Sequence, residues 1–103
     1  MAYIDSYSQV TQASIPKEVW DQAWFALMSW KGTLHSFPGF FRFQISARLL
    51  PNNDIRLHTV SVWEEPEQME EWLKSRLAVE DFLKALDQPA YDIVSQTFEN
   101  LGT

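Results

Sequence analysis

Two histidines, a group of arginines and five tryptophans are the side chains of this chain best suited to hold or change a small molecule. His58 is the stronger candidate for a general base, because an imidazole titrates near neutrality. It is that base or a core histidine bonded to a backbone carbonyl. His35, near the end of the first expected helix, is placed to meet that helix's negative terminus. Arg42, Arg48 and Arg56 bring three of the eight basic residues into one hairpin. Arg42 or Arg48 there could stabilise a phenolate, pair with an acidic helix of a partner, or stay solvated. Trp72 is either a wall on which a planar molecule stacks or ordinary stripe packing three residues after Met69. Trp24 (or Trp20) and Phe82 would add further apolar wall.

Other chemistries lack their residues. Without cysteine there is no disulfide framework, thiolate nucleophile or cysteine-bound metal. The two histidines are not at a helical ligand spacing, and no HExxH pattern occurs, so no metal site is expected. With three glycines, no phosphate-cradling loop can be written, and nucleotide or flavin cofactors are not expected. A net charge of −6 argues against nucleic acid and against anionic membranes. The start "MAYIDSYSQV" lacks the basic and apolar regions of a signal peptide. Nowhere do about eighteen apolar residues run together. A cytoplasmic protein is the expectation.

These side chains need a scaffold, and 103 residues allow one domain, 1–103. Residues 3–11 alternate as a strand, with Tyr3, Asp5 and Tyr7 on one face and Ile4, Ser6, Ser8 and Val10 on the other. Ser14 is positioned to cap a helix with Pro16 in its first turn. That helix carries Trp20, Ala23, Trp24, Leu27, Trp30 and Leu34 as one stripe. "FPGFF" at 37–41 stops it. Strands over 40–50 and 55–63 flank the turn "PNND". Glu64, Glu65 and Pro66 open a second helix with Met69, Trp72, Leu73 and Leu77 as its stripe, continuing past a slight bend at Ser75 to Val79, Phe82, Leu83 and Leu86. The glutamates of this segment read as a solvated face. Pro89 ends it, and 91–99 form a last strand.

Strand, helix, strand, strand, helix, strand is the β-α-β-β-α-β order of an α+β, ferredoxin-like antiparallel sheet with helices on one face. Large residues on both sheet faces call for a second copy or a ligand on the other. Pairing Leu50 with Ile55 sets Phe43 opposite Val62, Ile45 opposite Val60 and Ala47 opposite His58. That register places His58 beneath the helices and Trp63 on the far face, in a dimer core. A one-residue change in the loop reverses both.

"PGF" after the first helix, "VSVW" closing the third strand and "EEWLKS" in the next helix resemble the antibiotic biosynthesis monooxygenase family of dimeric α/β barrels. The resemblance implies a homodimer whose sheets close a barrel, with a cavity between sheet and helices in each subunit. It implies oxidation of a small aromatic or quinol-type substrate by dioxygen without a cofactor, with His58 as base, Trp72 as stacking wall and an arginine as anion stabiliser. A non-catalytic small-molecule-binding or stress-response protein on the same barrel is the alternative. Haem degradation comes third. That branch of the family has a tryptophan where "EWLKS" has Trp72, but an axial histidine where this chain has Phe82, which cannot ligate iron.

Overall fold

A computed structural model describes residues 3–75 and 77–102. Strand β1 (Tyr3–Ile15) is bonded on both sides, to β3 (Ile55–Trp63) and to β4 (Tyr91–Gly102), while β2 (Phe40–Leu49) pairs with β3 at the sheet edge. The order is β2-β3-β1-β4, all antiparallel. Helices α1 (Trp20–Trp30), α2 (Pro66–Lys74) and α3 (Val79–Lys84) lie on one face, which gives the ferredoxin-like α+β architecture.

β1 continues to Ile15 because Ala13 and Ile15 are fully buried and pair with Leu57 and Ile55. Ser14 is therefore a strand residue and caps nothing; its Oγ accepts from Arg56 Nη1 at 2.9 Å. A 3₁₀ turn, Lys17–Val19, leads into α1, and another, Lys31–Ser36, follows it. α2 begins with a capping box, in which the Glu65 amide donates to Gln68 Oε1 at 3.2 Å, with Pro66 in the first turn. The expected single second helix is two. Ser75 donates its hydroxyl to the Trp72 carbonyl and accepts the Leu77 amide, which turns the chain before α3. β4 runs past its expected end to Gly102.

The hairpin register differs from the expected one by a single residue. Leu49, not Leu50, faces Ile55, because the loop is closed by Leu50 N to Asp54 O (2.8 Å) and Asn53 N to Leu50 O (2.9 Å), with Asn53 at φ 70°. Phe43 consequently faces Ser61, Ile45 faces Thr59, and His58 faces Ser46. Every β3 side chain changes side. Trp63 joins the helix-side core with no exposed surface, rather than a dimer core. His58 lies on the face that no helix covers, together with Arg42, Gln44, Ser46 and Arg48 of β2 and Arg56, Val60 and Val62 of β3. β1 adds Ser6, Ser8, Val10, Gln12 and Ser14 to it, and β4 adds Val94, Gln96, Phe98 and Asn100.

One corner is held by Asp54. It accepts the Tyr91 hydroxyl, the Lys17 amide (3.0 Å) and the Asn52 side-chain amide (3.2 Å), joining the hairpin loop to β4 and to the turn before α1. The Tyr91 hydroxyl, then the Lys17 amide, hold the Asp54 carboxyl below its ordinary 3.8. The same bond raises the Tyr91 phenol above 10.0. A lowered carboxyl stabilises the fold above its unfolded value and loses that contribution as pH falls through the folded one. A raised phenol stabilises below its unfolded value and loses it as pH rises through the folded one. Urea midpoints should hold between about pH 4 and 10 as far as this corner is concerned, and fall outside that window. Asp54→Asn should flatten the acid limb; an acid slope equal to that of the parent protein would exclude Asp54 as its source.

Candidate functional site

The helix-facing side of the two central strands is not uniformly apolar. Gln9 and Thr11 of β1, opposite Ser61 and Thr59 of β3, are buried at the middle of the sheet. Buried polar atoms need partners, and these form a chain. Gln9 Nε2 donates to Thr11 Oγ1 (2.8 Å), the Thr11 and Ser95 hydroxyls lie 3.2 Å apart, and Ser95 donates to Glu80 Oε2 (2.9 Å). Glu80 completes an i,i+4 ion pair with Lys84 at 2.9 Å. The polar chain thus runs from the sheet centre to α3.

Aromatic rings stand beside this floor. Trp72 lies 5.3 Å from Trp63 and 6.1 Å from Trp30, and Trp30 lies 5.7 Å from Phe82 and 5.3 Å from Phe43, measured between ring centroids. The Trp63 indole N–H is satisfied by Ser61 Oγ at 2.9 Å. Trp72 has no exposed surface, and its Nε1 has no hydrogen-bond partner among the described residues. An orphaned buried donor is costly, so a polar partner there is worth about 1–3 kcal/mol.

Between α2–α3 and the β1–β4 side of the sheet lies a cleft of about 450 Å³, lined by Gln9, Leu73, Ala78, Glu80, Lys84 and Thr97 among others. An adjoining cleft of about 510 Å³ includes Tyr7, Met69, Thr97 and Glu99. Glu80 is the carboxylate at the mouth that is fixed in place. The hydrogen bond from Lys84, then that from Ser95, hold its carboxyl below the ordinary value, and Glu80 in turn raises Lys84. The site offers an ionised acceptor, a cation, amide and hydroxyl donors, and an apolar wall.

The residues expected to act together are not all together. Trp72 and Phe82 meet around Trp30 in the packed core, and neither lines either cleft. Trp24 stands 44% exposed on α1, stacked only on Trp20 at 5.9 Å, and lines neither cleft. Arg42 belongs to a separate pocket of about 320 Å³ beside His35, Phe40 and Phe41. His58 is across the sheet, 3.4 Å from Ser46 Oγ, so the base role that rested on its place beneath the helices has lost that footing. Gln9, Glu80 and Lys84 were not singled out from the sequence. Two signals existed: Gln9 shares strand parity with Ala13 and Ile15, and Glu80–Lys84 has helical salt-bridge spacing.

No group of three or more metal-ligating side chains occurs among the described residues. Haem does not fit the donor set: no histidine lines either cleft, and Phe82, which packs on Trp30, could not ligate iron. No helix among the described residues is long and apolar enough to cross a membrane.

No protein-family profile matches the chain. No curated protein matches it in sequence. Solved structures do match. A candidate antibiotic biosynthesis monooxygenase from Bacillus cereus has TM-score 0.63 and 16% identity over 92% of both chains. Another from Nitrosomonas europaea has TM-score 0.69 and 12% identity, covering 95% of this chain and 92% of that one. The haem-degrader MhuD of Mycobacterium tuberculosis, with two haems bound in its active site, has TM-score 0.63 and 18% identity over 91% and 94%. The resemblance read in the sequence holds at the level of fold.

Proposed function

We propose that the chain is an antibiotic biosynthesis monooxygenase-like protein that takes a small aromatic, quinol-type molecule into the cleft between α2–α3 and the β1–β4 side of the sheet, and oxidises it with dioxygen. The observation that carries the reading is the polar chain Gln9–Thr11–Ser95–Glu80, of which Gln9, Ser95 and Glu80 line the cleft beside the apolar Leu73 and Ala78. Such a floor and wall suit a planar ring whose edge bears hydroxyl groups. The shared fold with monooxygenase candidates supports the oxidative step.

Oxidation without a cofactor requires the substrate to become an anion, which passes an electron to dioxygen and recombines with it. The residues supply the environment for that. Glu80, kept ionised by Lys84 and Ser95, accepts the hydrogen bond of a substrate hydroxyl and takes its proton as the phenolate forms. Lys84 offers positive charge to the resulting phenolate, and Leu73 and Ala78 supply the apolar wall. A homodimer completes the reading, with a second copy covering the sheet face that carries Val10, Val60, Val62 and Phe98. A scattering mass of 12.0 kDa at high concentration would remove the barrel.

One observation favours a second reading, a non-catalytic binding protein. Glu80's lowered carboxyl is a weak base, and His58 is on the other side of the sheet. Dioxygen uptake by metal-stripped protein across a panel of quinols, with calorimetric titration of the same compounds, separates the two. Turnover should fall at least tenfold in Glu80→Gln if the lost bond to a charged group is worth about 1.5–3 kcal/mol, and should survive His58→Ala. Saturable binding without uptake would establish the binding protein, and no binding at all would remove both.

A further inference from the structure

The face of the sheet turned away from the helices carries its own constellation. Three adjacent strands set Gln12, His58 and Ser46 opposite one another in one row, and Ser14, Arg56 and Arg48 in the next. Neighbours within a row stand about 4.8 Å apart, and the rows about 6.7 Å apart along the strands. Arg48 and Arg56 are direct cross-strand partners, and like charges so placed destabilise a sheet. Asp92 lines an adjoining cleft with both of them, but forms no ion pair with either among the described residues. The ion pair found among the described residues joins Lys84 and Glu80 on the helix side. At the strand positions of this face from Ser6 to Ser14, Arg42 to Arg48, Arg56 to Val62 and Val94 to Asn100, no carboxylate occurs. In a chain of net charge −6, two arginines have gathered where Asp92, at the margin, is the acidic neighbour.

The two arginines differ in how they are held. Arg56 Nη1 donates to Ser14 Oγ at 2.9 Å and to the Asp92 carbonyl at 2.8 Å, which orients its fork. Arg48 has no hydrogen-bond or ion-pair partner among the described residues. Both line a cleft of about 310 Å³ with Gln12, Ser46 and His58. When the Ser46 hydroxyl donates to His58 Nδ1, the Nε2 atom carries the ring proton and is a further donor.

We infer that this cleft binds a compact oxyanion with two negative charges, of the phosphate-monoester or dicarboxylate class, held between Arg48 and Arg56 with donors from Gln12 and His58. Two guanidinium forks facing one space suit oxygen pairs of one anion, and the anion removes the repulsion between them. This site lies on the opposite side of the sheet from the helix-side cleft, at the hairpin end of the face whose Val10, Val60, Val62 and Phe98 are assigned above to a second copy, so it is tested in the protein as it assembles.

Calorimetric titration of the full chain with inorganic phosphate and with malonate, against chloride at matched ionic strength, tests the assignment. At least one of the two should bind saturably, and the stronger of them names the class. Arg48→Gln should weaken it about tenfold, the loss of one charge-assisted bond. Lys74→Gln, the same charge change on the exposed end of α2, should not. Without added anion, Arg48→Gln should melt no lower than the parent protein, because it relieves the Arg48–Arg56 repulsion. Binding of neither anion above chloride, equal affinity in Arg48→Gln, or a lower melting point in that variant each overturns the inference.

Discussion

Replacing Trp72 with alanine is expected to lower the free energy of unfolding by about 3–5 kcal/mol. The side chain has no exposed surface and touches both neighbouring indoles, so its removal leaves a void that the surrounding rings cannot fill without leaving their own partners. Domains of this kind are stable by about 5–15 kcal/mol in all, so the variant should unfold at a much lower urea midpoint than the parent protein. Trp72→Phe separates packing from polarity. It keeps a ring in the stack and removes the unpartnered N–H, so lost apolar area is offset by relief of a buried orphan donor. It should unfold at a urea midpoint much closer to the parent protein than to Trp72→Ala. If that N–H meets the quinol-type ligand, Trp72→Phe should also weaken calorimetric binding several-fold. Unchanged affinity would confine Trp72 to the core.

Gly39→Ala should cost about 2–4 kcal/mol through two linked effects. Gly39 has φ +79°, a left-handed conformation that a Cβ disfavours, and a Cβ built there would stand 1.6 Å from Gln68 Oε1. Gln68 cannot simply move aside, since that oxygen accepts the Glu65 amide and closes the capping box of α2. Gly39 is also tied by its carbonyl, which accepts the Glu64 amide at 2.8 Å. One glycine in the turn before β2 thereby sets the start of the helix that carries Trp72. A double-mutant cycle with Gln68→Ala checks the mechanism: the cost of Gly39→Ala should shrink when Gln68 is already absent. Strict additivity would show that the two do not meet.

The "PGF" segment containing Gly39 was among the features that made the fold legible, as were hydrophobic periodicity and the proline stops. Element order followed from them. The faces of β3 did not, because "PNND" is compatible with loops differing by one residue, and only the bonds of Leu50 with Asn53 and Asp54 select the longer one. With a side-chain period of two, that residue moved His58 out from under the helices and Trp63 into the core. Ser14 was misread for a related reason. Its local capping preference is overridden by pairing with β3 and β4 on either side. The polar floor was hidden because Gln9, Thr11, Thr59 and Ser61 look like solvent-facing alternation until Ala13, Ile15 and Leu57 show which parity faces inward. For the same reason the cleft was not legible: Trp72 and Phe82, named from the sequence, belong to the packed aromatic cluster, whereas Gln9, Glu80 and Lys84 became visible only through contacts between strand and helix.

The stacked indoles also give the molecule an optical identity. Trp63 and Trp72 are 5.3 Å apart and inclined by 32°, with Trp30 only 6.1 Å from Trp72. Transition dipoles that close and that skewed couple, so light absorbed by one ring is shared among its neighbours. The native protein should show a paired, oppositely signed circular-dichroism band in the indole region that has no counterpart in the separate residues. Because the three rings come from α1, β3 and α2, the band exists only while sheet and helices are docked, and it reports that docking without any added label.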